Sequence, residues 1–165
     1  MHALDADKES SIDASYVLGL ARKFLGATAP PRDDAIEDWE GAGCLLWDVA
    51  AVPAAAALLV AHGVDDMLVH TAVAACAQQR WRAVEIAVGA LGNMACCPRL
   101  ASRLAAKPAL VELLTGAVLW SDNSACLCED ARLLAALLMS EPRVRLPVRL
   151  AACVRAPAPG CPAFS

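Results

Sequence analysis

Eight cysteines and three histidines in 165 residues are the side chains with the widest chemical repertoire, so metal binding and thiol chemistry are weighed first. Structural zinc wants Cys-x₂₋₄-Cys pairs that recur with a second pair or with His-x₃₋₅-His. Here Cys96 and Cys97 are adjacent, Cys126-x-Cys128 is one residue short, and His62 and His70 stand eight apart. A thioredoxin-like Cys-x-x-Cys is also missing. The cysteines therefore read as small buried hydrophobes, with Cys44, Cys76 and Cys96 inside helical patterns, and no metal or cofactor is expected. The acid cluster Asp33, Asp34, Glu37, Asp38 and Glu40 could pass for a cation site, but it suits a solvated helix start better. No nucleophile elbow, phosphate loop or dinucleotide fingerprint occurs. His2 falls in a polar tail, while His62, beside Gly63, reads as a partner of a helix C-terminus rather than a base. The expectation is that the chain is not an enzyme.

These side chains must be held by helices. Hydrophobic residues make up 58% of the chain and charged ones 19%, with only 4% aromatic. Roughly a fifth of the residues are alanine, the best helix former, which raises the mean hydropathy to +0.48 without adding bulk. The longest stretch without a formal charge, Val49 to Val64, is broken by Pro53 and Gly63. It falls short of the ~20 apolar residues that a membrane span needs. An acidic start in place of a basic one argues against an export signal, so an intracellular location with reduced thiols is expected. The net charge of −4 argues against binding nucleic acid through phosphate.

Prolines and glycines punctuate the chain into helices. Residues 1–11 are expected to be disordered, residues 12–140 to form one helical domain, and residues 141–165 to be an irregular tail with five prolines. Helices are predicted from Ile12 to near Gly26, from about Asp34 to Ala51, and from Pro53 to Gly63. Asp65 or Asp66 would cap the next, to about Gln78. Trp81 to Cys96 is the longest clean pattern, followed by helices at about 98–106 and 108–120. The loop SDNS at 121–124 carries capping candidates for a last helix to about Ser140.

Self-similarity ties these helices together. Glu40 to Ala50 aligns without gaps on Glu85 to Ala95, with Asp48 opposite Asn93, and Glu129 to Met139 is a weaker third copy. The spacing of 45 and then 44 residues, with two shorter helical segments after each of the first two copies, is the armadillo or HEAT period. The predicted fold is all-α: an armadillo/HEAT-like right-handed helical solenoid of about three repeats, the last one uncapped. On a helical wheel Val84, Ala87, Val88, Leu91, Met94 and Ala95 form the core side of the third segment. Arg82, Glu85, Gly89, Gly92 and Asn93 fall on the other side. Trp39, Trp47 and Trp120 are expected to fill the core between repeats.

The stretch WRAVEIAVGALGNMAC at 81–96 resembles the longest helix of an armadillo repeat. More narrowly, CLLWD at 44–48, EIAVGALGNMAC at 85–96 and EDARLLAALL at 129–138 are similar to the serum amyloid A-like family. The resemblance covers residues 12–140 and implies an intracellular, in part nuclear, protein-binding scaffold linked to cell proliferation. It implies partner contacts at Asn93, Arg82, Glu85 and Asp48, with Leu137 breaking the series one repeat later. The tryptophan usual one turn before such an asparagine is Gly89 here. Two readings of Asn93 stand: its amide bonds an extended peptide in a groove, or it satisfies a neighbouring helix end. Gly89 and Gly92 have close helix packing as their second reading. Trp81, between Arg80 and Arg82, is a second candidate contact patch beside ordinary packing.

Family members run longer, and nothing after Pro142 resembles their continuation. A truncated isoform without function is therefore one alternative, and a thiol- or metal-dependent helical enzyme is another. The partner is expected to be a protein, with neither nucleic acid nor a membrane involved. Self-association through the uncapped last repeat, near Leu133 to Met139, is expected.

Overall fold

The computed structural model describes residues 13–29 and 39–140. The predicted starts at Ile12 and Asp34, the acid cluster from Asp33 to Asp38, the N-terminal residues and the tail at 141–165 lie outside them. The described residues are helical, without a strand: α1 (Ala14–Phe24), α2 (Trp39–Val49), α3 (Pro53–Ala61), α4 (Val64–Ala77), α5 (Trp81–Met94), α6 (Pro98–Ala105), α7 (Pro108–Gly116) and α8 (Ser124–Ser140). Short 3-10 turns follow α1 at Leu25–Thr28 and α7 at Val118–Trp120.

Local chemistry sets most of these ends. The Asp13 carboxylate accepts from the amides of Ser15 and Tyr16 at 2.9 and 3.2 Å and starts α1. Pro53, Pro98 and Pro108 each open a helix, where a missing N–H costs nothing. The Asn123 side-chain Oδ1 accepts from the Cys126 amide at 3.0 Å and starts α8. The start of α4 differs from expectation. Gly63, at φ +72°, turns the chain between α3 and α4, and Asp65 and Asp66 sit inside the first turn rather than capping it. α4 closes with the amides of Arg80 and Gln79 bonding the carbonyls of Ala75 and Cys76, the paired bonds of a Schellman end. Gln79 holds the left-handed position, at φ +57°, that glycine usually fills there.

The copies read from the sequence are neighbours in space. α5 packs between α2 and α8, α1 lies on α2, and α4 lies on α5. Side-chain contacts join residue 40 to 82 and 47 to 93, then 126 to 81 and 132 to 93, so α2, α5 and α8 run parallel. The last copy departs from this pattern, because α8 packs on α6 and the 3-10 turn Val118–Trp120 more than on α7.

The core runs through α5, where all six residues predicted for the core side are buried. So are Gly89 and Gly92, which the isolated wheel had placed on the polar side. Trp39 and Trp47 pack half-buried against the core, as expected. Trp120 does not; it is 64% exposed, because the 3-10 turn buries Val118 and turns Leu119 and Trp120 outward. Cys96 also differs from its expected place in a helix: it lies exposed just past the end of α5. No helix among the described residues is long and apolar enough to cross a membrane.

Candidate functional site

The residues singled out in the sequence converge on the seam between α2, α5 and α8. Asn93, in the last turn of α5, donates from Nδ2 to the Trp47 carbonyl at 2.8 Å. That carbonyl belongs to the last turn of α2, where helical carbonyls have no partner of their own. Oδ1 of Asn93 accepts from Arg132 Nη1 of α8 at 2.8 Å. The amide thus caps one neighbour and anchors the other, which is the helix-end reading. Arg132 also donates from Nη2 to the Gly89 carbonyl at 2.9 Å, and it is held on its own helix by Glu129 at 2.8 and 2.5 Å.

Two glycines make this approach possible. A Cβ on Gly89 would stand 2.3 Å from Cε2 and Cζ2 of Trp47, so the indole lies flush on the α5 backbone. The Trp47 ring of the preceding copy thus fills the space that a side chain at position 89 would take. A Cβ on Gly92 would meet Arg132 Nη2 at 3.0 Å. The close-packing reading of both glycines is what the geometry shows.

The start of α5 carries the second half of the seam. Arg82 donates from Nε to Glu40 of α2 at 2.7 Å and pairs with Glu85 at 2.9 Å. It also lies 3.4 Å from the Cys44 thiol. The hydrogen bonds that Arg82 donates to Glu85 and Glu40 raise its pKa and keep its guanidinium charged. Glu85 is half-buried, while Asp48, one copy before Asn93, is exposed with no side-chain partner among the described residues. Trp81 is half-buried and its carbonyl accepts from the Cys126 thiol at 3.2 Å. The expected Arg80–Trp81–Arg82 patch is divided, because Arg80 reaches away to the carbonyls of Ala27 and Ala29 at 2.5 and 3.0 Å.

Pattern reading missed two features. Arg132 was one polar residue on a mostly apolar helix; its signal was its place 43 positions after Gly89 and 39 after Asn93, about one repeat on. The sequence offers Asp65 only as a cap. Its carboxylate is fully buried, 2.8 Å from Arg103 Nε and 3.0 Å from Lys107 Nζ, while Asp66 also pairs with Lys107 at the surface. Burial alone would raise the Asp65 pKa, but the hydrogen bonds and charges of Arg103 and Lys107 outweigh it and hold the carboxyl below the usual carboxylate range.

Two thiols, Cys76 and Cys126, are held in the protonated form. Burial pushes Cys126 up to about 11, with the Glu85 charge adding to it, and burial also raises Cys76. Both therefore stay protonated at neutral pH, away from the depressed range of nucleophilic cysteines. Among the described residues no three His, Cys, Asp or Glu side chains gather as a metal site would require.

These elements and this seam define an all-helical protein whose polar groups tie successive 44- to 45-residue copies together. No protein-family model matches the chain, and neither a curated protein nor a solved structure is similar to it.

Proposed function

We propose that the chain is an armadillo-type helical solenoid of about three repeats, serving as a non-catalytic scaffold that binds another protein. The observation that carries this reading is the register of the seam. Its hydrogen bonds join residues 42 (Glu40–Arg82), 46 (Trp47–Asn93), 45 (Trp81–Cys126) and 39 (Asn93–Arg132) positions apart, so each copy is bonded to the next at a spacing of about one repeat. Such nearest-neighbour stacking is what repeat arrays use to build extended binding surfaces. The resemblance to the serum amyloid A-like family supports the same reading and a working place inside the cell, the nucleus included.

The surface on offer is the open rim of α2 and α5. Glu40, Leu45, Asp48 and Arg82 are exposed there, with Glu85 and Trp81 half-buried behind them. Asn93 shapes the rim by fixing α2 and α8 rather than by reaching out. The test is affinity capture from cells with wild type beside an Asp48→Ala/Arg82→Ala variant of matched helicity. At least a tenfold loss of the same partner supports the rim as the contact surface. Unchanged partners place the contact elsewhere, and stoichiometric zinc or one hyper-reactive cysteine in the purified protein turns the reading toward an enzyme.

The last copy supports self-association as a second element of this reading. In α5, Val84, Ala87, Leu91, Met94 and Ala95 are all buried. Forty-four residues later the same register positions are Cys128, Ala131, Ala135, Leu138 and Met139, and all are exposed. This uncovered side of α8 is mostly apolar, and sedimentation velocity tests it. Self-association weakened by Leu138→Ser/Met139→Ser agrees with the proposal, and a wild-type monomer at every concentration refutes it.

A further inference from the structure

Asp130 sits where a core residue belongs. The stripe of α8 that is buried consists of Cys126, Asp130, Leu133 and Leu137, and 44 positions earlier Asp130 corresponds to Ile86 of α5, which is fully buried. The Asp130 side chain is likewise inaccessible to solvent, yet neither carboxyl oxygen has a hydrogen-bond partner among the described residues. A buried ion without a partner is costly, so this environment suits only the neutral acid.

The surrounding elements offer no compensation. On α5 the titratable groups are Arg82 and Glu85, which pair with each other. On α6 they are Arg99 and Arg103, the latter bound to Asp65. The 3-10 turn Val118–Trp120 has none. On α8 itself, Cys126 is protonated one turn before Asp130, Cys128 is exposed, and Glu129 is paired with Arg132. None of these forms an ion pair with Asp130.

We propose that the seating of α8 on α5 is controlled by a proton: the helix is held with Asp130 neutral and loosens when Asp130 ionises. Burial pushes this carboxyl up to about 7, against an ordinary value of 3.8. Its folded value is raised, so the folded state binds the extra proton between those two values. Stability conferred on α8 is complete below the ordinary value, falls as pH rises between the two, and levels off above about 7. The window lies across mildly acidic to neutral pH, where a shift in proton activity would open the α5–α8 contact.

The test is native-state hydrogen exchange on the full chain between pH 5 and pH 8, corrected for intrinsic exchange. For wild type, protection of α8 amides should fall up to about tenfold per pH unit to about pH 7 and then flatten, while amides in the middle of α5 change less. Asp130→Asn and Asp130→Leu should each remove the slope; Asp48→Asn, at an exposed site, should keep it. A flat wild-type profile, an equal loss in α5, or a slope that survives in the Asp130 variants overturns the proposal. Should neither variant fold, a carbon-13 titration of the wild-type carboxyl decides, since a midpoint in the usual carboxylate range also overturns it.

Discussion

Replacing Gly89 by alanine sets two opposing effects of similar size against each other. Alanine in a helix interior is favoured over glycine by about 1 kcal/mol. The new methyl would stand 2.3 Å from two ring carbons of Trp47 and 2.8 Å from a third. Carbon atoms in comfortable contact are ~3.5–4.0 Å apart, so ring and helix must part by more than 1 Å. Overpacking of this kind costs about 1–3 kcal/mol. The half-buried indole can swing outward, which places the cost below the top of that range. Swinging strips apolar contact from the α2–α5 seam, and shifting α2 instead lengthens the 2.8 Å bond from Asn93 to the Trp47 carbonyl. The expected balance is a net loss of up to about 2 kcal/mol, the overpacking cost less the propensity gain. Urea unfolding followed by far-ultraviolet circular dichroism measures it directly. In a Trp47→Leu background the clash is gone, so Gly89→Ala should become neutral or stabilising by up to about 1 kcal/mol. The two sites should then show a coupling of about 1–3 kcal/mol in the double-mutant cycle. A Gly89→Ala protein more stable than wild type by the full propensity gain of about 1 kcal/mol, or a cycle without coupling, would refute the claim that the indole rests on the α5 backbone.

Other substitutions probe the remaining joints. Gly19 lies within α1 with nothing near its absent side chain, so Gly19→Ala should stabilise by about 0.5–1 kcal/mol in the same urea assay. At the left-handed end of α4, Gln79→Gly removes a backbone strain of order 1 kcal/mol and should raise the melting temperature. Asn93→Ala leaves the Trp47 carbonyl and one Arg132 donor without their partner; it should cost about 1–3 kcal/mol, and a smaller loss in calorimetry would show that water replaces the amide. Asp65→Asn should destabilise at neutral pH. Because the folded pKa of Asp65 is depressed, its contribution is present above the ordinary carboxylate range and disappears as pH falls through the folded value, so wild type and variant should converge in acid.

The helices were legible because their punctuation is local. Pro53, Pro98 and Pro108 open helices where a first-turn proline should, and the spacing of Glu40, Glu85 and Glu129 places α2, α5 and α8 in one register. What one helix does to another was less visible. A wheel drawn for α5 alone puts Gly89 and Gly92 on an open side, because it contains neither the Trp47 ring nor the Arg132 guanidinium that cover them. The same limit hid the role of Asp65, whose partners lie 38 and 42 residues away. Trp120 failed for a different reason. Its size argued for the core, but a tight 3-10 turn cannot bury three successive side chains on one side, and Val118 took the inner position.

The seam also explains how an alanine-rich chain keeps its register. Small apolar faces pack in several ways with little difference in energy, so burial alone leaves adjacent copies free to slide. The polar contacts remove that freedom. Asn93 can reach the unpaired Trp47 carbonyl only when α2 ends beside the last turn of α5, and Arg132 can serve both Gly89 and Asn93 only from one height on α8. A slip by one turn would leave that carbonyl without a partner and the guanidinium without its α5 acceptors in a partly buried setting, at a cost of about 1–3 kcal/mol each. Glu40 and Arg82 repeat the constraint at the other end of the same helix pair. Asn93 and Arg82, which the sequence offers as ligand contacts, are therefore residues that align the copies.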